Sequence, residues 1–186
     1  VGFIWTNELK LRVENKERMY RYYIGLGSNL GNRRQHMRDA CHEMLQEGIT
    51  ILQGSSLYRS EPWGFVSDEP FFNAVLRVRC AWEPDALLQL LKQLELKAGR
   101  VHSGNGYQNR PLDLDILAWE HRIWESEHLS IPHRALEKRS FVVIPLLELE
   151  PDWMHPKSRE CLKDVLDINA LSAELQLVED AHWWIK

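Results

Sequence analysis

At 186 residues, 44% hydrophobic and 27% charged, the chain is long enough to bury one substantial core. Its formal net charge of −4 removes the basic surface on which non-specific nucleic-acid binding rests, so no nucleic-acid partner is expected. No apolar run reaches the ~18 residues of a membrane span, and the opening Val-Gly-Phe-Ile-Trp is too short for the apolar core of a signal peptide. Cys41, Cys80 and Cys161 are odd in number and widely spaced. They form neither a disulfide framework nor a zinc pattern, so a cytoplasmic, reducing location is expected, with no membrane partner.

Residues 1–18 read as an N-terminal appendage, with one compact domain over 19–186. Tyr20 to Leu26 is a strand, running into the turn-forming Gly27-Ser-Asn-Leu-Gly-Asn32. Met37, Ala40, Cys41, Met44 and Leu45 then recur at helical spacing, and Gly48 closes that helix. Ile49 to Tyr58 reads as a second strand with a bulge at Gly54. Ser60 to Pro70 is a loop.

Phe71 to Trp82 is a long third strand. Phe72, Ala74, Leu76, Val78, Cys80 and Trp82 share its core face, and Asn73, Val75, Arg77 and Arg79 share an exposed one. Leu87, Leu90, Leu91, Leu94 and Ala98 stripe a second helix that Gly99 ends. The fourth strand runs from Leu112 to Trp119. The order β-α-β-β-α-β is the ferredoxin-like split unit. The expected class is therefore α+β: a ferredoxin-like βαββαβ sandwich with an antiparallel sheet and extra C-terminal elements. Its second sheet face is left open for a ligand or added segments. A short strand at Ile123-Trp124, a helical region bounded by Pro132 and Pro145, a short helix in Cys161–Ile168 and a terminal strand at Leu175–Val178 follow.

The chemistry concentrates between Glu95 and Trp119. On a strand, Asp113 and Asp115 point to one face with Cβ atoms about 6.5–7 Å apart. Two hard carboxylates on a rigid element suit Mg²⁺. Arg100, His102 and Arg110 add donors for phosphate oxygens. An alternative stays open, in which one aspartate caps a turn and the other pairs with an arginine. The Gly27 turn lacks the Gly-Lys-Ser/Thr ending of a P-loop and the spacing of a dinucleotide fingerprint. A close backbone approach to a flat ligand or a plain turn both fit it. Phe71, Asn73, Ser60, Glu61 and Trp63 offer aromatic faces with polar edges, suited to a flat heterocycle or equally to a core. His133, with Arg134, Lys138 and Arg139 nearby, is a donor for phosphate or a surface residue.

Six segments carry a resemblance: Tyr23-Ile-Gly-Leu-Gly-Ser-Asn-Leu-Gly31, Leu57-Tyr-Arg-Ser-Glu-Pro62, Phe72-Asn-Ala-Val75, Leu94-Glu-Leu-Lys-Ala-Gly-Arg100, Arg110-Pro-Leu-Asp-Leu-Asp-Ile-Leu117 and Ile131-Pro-His-Arg134. In this order, from Tyr22 to about Pro156, the chain resembles the 6-hydroxymethyl-7,8-dihydropterin pyrophosphokinases of folate biosynthesis. The resemblance implies transfer of pyrophosphate from ATP to the hydroxymethyl group of the reduced pterin, releasing AMP. It implies two Mg²⁺ ions held by Asp113 and Asp115, with Arg100 and Arg110 assisting catalysis. Glu95, Arg100, His102, Arg110, Ile116, Leu129, Ser130, His133 and Arg139 fall on ATP-binding positions. Gly27, Ser60, Glu61, Trp63, Phe71, Asn73, Tyr107 and Phe141 fall on pterin-binding ones. ATP and the reduced pterin are the expected partners, and a monomer is expected.

The chain departs from the family in one loop. Gly106-Tyr-Gln-Asn109 replaces a frequent Arg-Trp-Gly-Pro, His102 stands where an arginine is common, and Arg134 replaces a frequent tyrosine. Two rivals remain on sequence alone. A metal-dependent phosphohydrolase would release phosphate without pterin. A ferredoxin-like RNA-binding module would need a basic sheet face with stacking aromatics.

Overall fold

A computed structural model describes residues 18–101 and 108–185. Residues 1–17, and with them most of the expected appendage, lie outside the described residues, as do His102 and Tyr107. The elements in order are β1 (Tyr20–Ser28), α1 (Arg33–Gln46), β2 (Thr50–Gly54), β3 (Leu57–Ser60), β4 (Phe71–Cys80), α2 (Pro84–Lys97), β5 (Asp113–Ala118), β6 (Trp124–Glu125), β7 (Ser130–Ile131), α3 (Ser140–Leu149), α4 (Leu162–Val165), α5 (Ile168–Ala173) and β8 (Gln176–Glu179).

The main sheet has six strands in the order β5-β1-β4-β3-β8, and β2 also pairs with β4. Every pairing is antiparallel. The expected second strand is thus two, β2 and β3, broken at Ser55-Ser56 and laid end to end along β4. The backbone N–H of Ser55 still bonds the Val75 carbonyl at 2.9 Å, and its hydroxyl accepts from the Val75 N–H at 2.9 Å. This break replaces the simple bulge expected at Gly54, and it extends the strand to Ser60, where a loop was expected to begin.

Period-2 alternation sorts the sheet residues into two cores. Tyr22, Ile24, Leu26, Leu76, Val78, Leu114 and Ile116 face α1 and α2, against Met37, Met44, Leu87, Leu91 and Leu94. On the opposite face, Tyr23, Val75 and Leu117 pack under Val142, Leu146 and Leu149 of α3, with Trp153 and Leu162. That face is therefore not open along its length. Val75 is fully buried, and Arg77 pairs with Glu150 at 3.3 Å instead of standing free in solvent.

Pro145 was expected to end a helical region, yet it sits inside α3. A mid-helix proline costs about 3 kcal/mol. Burying Val142, Val143, Leu146 and Leu149 returns roughly 1.5–3 kcal/mol for each side chain, which outweighs it. The consequence for function is positional. α3 roofs the Tyr23–Val75–Leu117 end of this face and leaves uncovered the end where β1 reaches Gly27 and β5 begins.

Candidate active site

At that uncovered end the sheet register builds a slot. Gly27 of β1 lies opposite Asn73 on β4 and opposite Asp113 on β5. In the next row on the same face, Gly25 lies between Val75 and Asp115. With neighbouring strands about 4.8 Å apart, Gly27 leaves a gap two strands wide between Asn73 and Asp113, while at Gly25 the Leu117 side chain closes the row, 3.3 Å from where a Cβ would stand. The lack of a side chain at Gly27 keeps this space clear, and a methyl there would make the Asn73 amide give way. A Cβ there would stand 3.3 Å from the Asn73 Oδ1 and 3.6 Å from the Asp113 Cβ.

Gly27→Ala is accordingly expected to raise the KM for the flat substrate about tenfold or more, from one methyl's worth of lost space and a displaced amide. Steady-state kinetics checks this, with the KM for the nucleotide as the internal control.

Ser60, Glu61, Trp63, Phe71, Asn73 and Phe141 line this slot together with Gly27. All the described residues expected on the pterin side are thus gathered in one place. The buried Asn73 amide donates to the Ser60 hydroxyl at 2.9 Å, which fixes which edge it presents. Aromatic rings come from both sides of the slot: Phe71 from β4, Phe141 from α3, and Trp63 from the loop after β3.

The slot opens onto a charged basin lined by Lys92, Arg100, Arg110, Asp113, Asp115, His133 and Arg139. Arg100 and Arg110 take one oxygen each of Asp113, at 2.7 and 3.0 Å. Asp115 is held more loosely, 3.7 Å from Lys92 and 3.6 Å from Arg139. Burial works against its charge, but Lys92, His133, Arg139 and Arg110 together outweigh burial and hold its carboxyl below the usual range. Asp115 is therefore ionised at neutral pH.

Behind the basin, Glu95 is fully buried. It accepts from Lys92 and from the Leu114 N–H, both at 2.7 Å, and lies 2.6 Å from Arg100. Burial raises its pKa despite those partners. Four permanent cations thus face three carboxylates, a surplus suited to a polyanion. His133 is pushed below its ordinary pKa, chiefly by burial, so it is neutral at pH 7. Its Nδ1 accepts the Ala135 N–H at 3.1 Å, which leaves Nε2 as the donor.

A third concavity joins the basin, lined by Lys92, Asp115, Ile116, Leu129, Ser130 and His133 among others. It gathers the ATP-side positions Ile116, Leu129, Ser130 and His133. Arg139 links the regions, since its guanidinium also lies 4.7 Å from the Trp63 ring centroid.

Two residues were missed by sequence reasoning. Lys92 lies off the apolar stripe of α2 and was not singled out, yet its amine reaches Glu95 at 2.7 Å and the Leu114 carbonyl at 2.9 Å. Its spacing from Glu95, one helical turn away, was the available signal. Asn29 looked like a turn residue, yet it is 1% exposed and bonds to two separate loops. Its place beside a glycine turn gave no hint of those partners.

Among the described residues no cluster of three or more His, Cys, Asp or Glu side chains is arranged to hold a metal, and no helix is long and apolar enough to cross a membrane. Two adjacent carboxylates without further protein ligands suit Mg²⁺, which keeps several waters and commonly takes one or two carboxylates plus substrate phosphates.

Residues 23–151 match the family described as 7,8-dihydro-6-hydroxymethylpterin-pyrophosphokinase (HPPK). The 2-amino-4-hydroxy-6-hydroxymethyldihydropteridine pyrophosphokinase of Porphyromonas gingivalis is 39% identical over 142 residues, covering 73% of this chain and 94% of the relative. The enzyme of the same name from Aquifex aeolicus is 38% identical over 149 residues, covering 80% of this chain and 92% of the relative. Among solved structures, wild-type HPPK-DHPS of Plasmodium falciparum superposes with a TM-score of 0.63 at 14% identity, a likeness of fold. That match covers 84% of this chain and 45% of the other, so this chain spans less than half of the longer protein. On the family match and these identities, the chain belongs to the HPPK family.

Proposed function

We propose that the glycine-floored slot binds the reduced pterin, that the neighbouring basin binds the ATP triphosphate, and that Asp113 and Asp115 hold two Mg²⁺ ions between them. The reaction is the one the family performs: pyrophosphate passes from ATP to the hydroxymethyl group of 6-hydroxymethyl-7,8-dihydropterin in folate synthesis. The carrying observation is that slot and basin share Asp113, Asp115, Arg110 and Arg139, so a flat ligand and a polyanion would meet over the aspartates.

In this reading Phe71, Phe141 and Trp63 stack on the pterin, and Asn73 bonds its edge, with Ser60 fixing the amide. Ile116, Leu129, Ser130 and His133 take the nucleoside end. Arg100, Arg110, Lys92 and Arg139 bind phosphate oxygens as these displace the aspartates from their present ion pairs. When bound, Mg²⁺ supplies charge neutralisation on the triphosphate. The chain's residues then align the hydroxymethyl oxygen with the β-phosphorus. A new bond forms there, the hydroxyl proton is released to solvent, the bond from that phosphorus to the α,β-bridging oxygen breaks, and AMP departs with that oxygen. The chain acts as a monomer, with neither nucleic acid nor membrane as a partner.

A chelation experiment tests the metal roles. EDTA is expected to abolish turnover and to weaken ATP binding in calorimetry, with both restored by excess Mg²⁺. Full ATP affinity and turnover under EDTA would refute the assignment of Asp113 and Asp115.

A further inference from the structure

Asn29 follows the last residue of β1, a strand flanked on both sides in the sheet, and its side chain has every polar group engaged. Its Oδ1 accepts the backbone N–H of Arg110 at 2.7 Å. Its Nδ2 donates to the Glu69 carbonyl at 3.1 Å and to the Asn109 Oδ1 at 2.7 Å. The backbone completes a reciprocal pair with Arg110, because the Asn29 N–H donates to the Arg110 carbonyl at 3.1 Å. Two chain segments distant in sequence thus converge on one amide, in a residue that is 1% exposed.

We infer that Asn29 is a positioning residue for the reaction: its Oδ1 sets where Arg110 stands, and its Nδ2 ties down the loop that carries Trp63. The inference rests on the proposed catalytic role of Arg110. That guanidinium lies 3.0 Å from Asp113 Oδ2 and 5.5 Å from the Phe71 ring centroid, at the seam of slot and basin. Arg110 begins the segment leading into β5, and its backbone is held at this point by Asn29 on both N–H and C=O. On the other side, Glu69 closes the loop that begins at Glu61 and contains Trp63. A second tie at that loop's end comes from Arg33, which donates to the Pro70 carbonyl at 2.7 Å.

The chemistry requires an asparagine. One acceptor and two donors must lie in a plane on a short stem anchored to the sheet. Aspartate supplies the acceptor and no donor. Serine supplies one donor and cannot span the three partners. Glutamine adds a rotatable bond and reaches too far.

This division of labour can be separated by substitution. Asn29→Ala removes both functions, and Asn29→Asp keeps the acceptor for Arg110 while turning the loop-facing donors into an acceptor. Wild type, Asn29→Ala, Asn29→Asp, Arg110→Ala and the Asn29→Ala/Arg110→Ala double variant are compared, with thermal melts confirming folding. Asn29→Ala is expected to lower kcat about 10²-fold, the cost of misplacing a catalytic group by about 1 Å. Its KM for ATP should stay within about threefold, because the nucleoside-side residues do not touch Asn29. The double variant should be no slower than Arg110→Ala, since Asn29 acts through that arginine. Asn29→Asp should retain at least about tenfold more kcat than Asn29→Ala and show its main defect in the KM for the pterin.

Multiplicative losses in the double variant, or an unchanged kcat in Asn29→Ala beside a slow Arg110→Ala, would overturn the inference. If Asn29→Ala does not fold, Asn29→Asp decides alone: a kcat lowered as much as in Arg110→Ala contradicts the tether. An Arg110→Ala variant with wild-type kcat would instead strike the role of Arg110 itself.

Discussion

Replacing Asp115 by alanine is expected to lower kcat at least about 10³-fold, the scale on which single electrostatic groups act in phosphoryl transfer. Asp115 stands at the seam of the three concavities, and its carboxyl is held below the usual range because Lys92, Arg139 and Arg110, together with His133 where that ring is protonated, outweigh its burial. Among the described residues its side chain makes no hydrogen bond that a neighbour relies on, and its ion pairs are long, at 3.6 and 3.7 Å. With its side chain 30% exposed, pairs of that length contribute little to stability, so the variant should fold. Loss of turnover should therefore appear without a large fall in melting temperature, and calorimetry should show weakened binding of Mg²⁺-ATP. AMP formation at a near wild-type rate would remove Asp115 from the metal site.

Arg110→Ala is expected to reduce kcat by roughly 10²–10³-fold with a smaller effect on ATP affinity. Arg100, Lys92 and Arg139 would still attract the triphosphate, so ground-state binding is shared among several cations. Arg110 differs from them in position. It lies over the edge of the slot, near Phe71, where the attacking oxygen and the transferred group would meet in the proposed arrangement. An interaction concentrated there acts on the transition state more than on either bound substrate. Single-turnover kinetics with saturating ATP separates the two effects. A variant that loses ATP binding and keeps its chemical step would place Arg110 with the other triphosphate cations.

Much of this site was legible because its key residues are neighbours on one strand. Period-2 alternation put Asp113 and Asp115 on a shared face before any tertiary contact was known. The helical stripes and glycine stops likewise marked α1 and α2, whose ends have positive φ at Gly48 and Gly99. What escaped depends on pairing between distant segments. No local pattern sets Gly27 opposite both Asn73 and Asp113, although that row forms the floor of the slot.

The roof of the second face was missed for a different reason. Pro145 argued locally against a helix that burial of its apolar face sustains. Asn29 is the clearest case. Its partners lie 40, 80 and 81 residues away, and a turn asparagine is indistinguishable in sequence from a clamp. The bland alternative for the aspartates also contains part of the truth. Asp113 is indeed paired with arginines here, and a bound triphosphate would compete for those same arginines.

The most direct measurement is AMP production by the full chain with ATP, Mg²⁺ and 6-hydroxymethyl-7,8-dihydropterin, compared with reactions lacking each in turn. AMP is expected only when all three are present, in equal amount to a pterin product heavier by a pyrophosphoryl group. Phosphate release from ATP without pterin, or no AMP in the complete mixture, would contradict pyrophosphoryl transfer at this site.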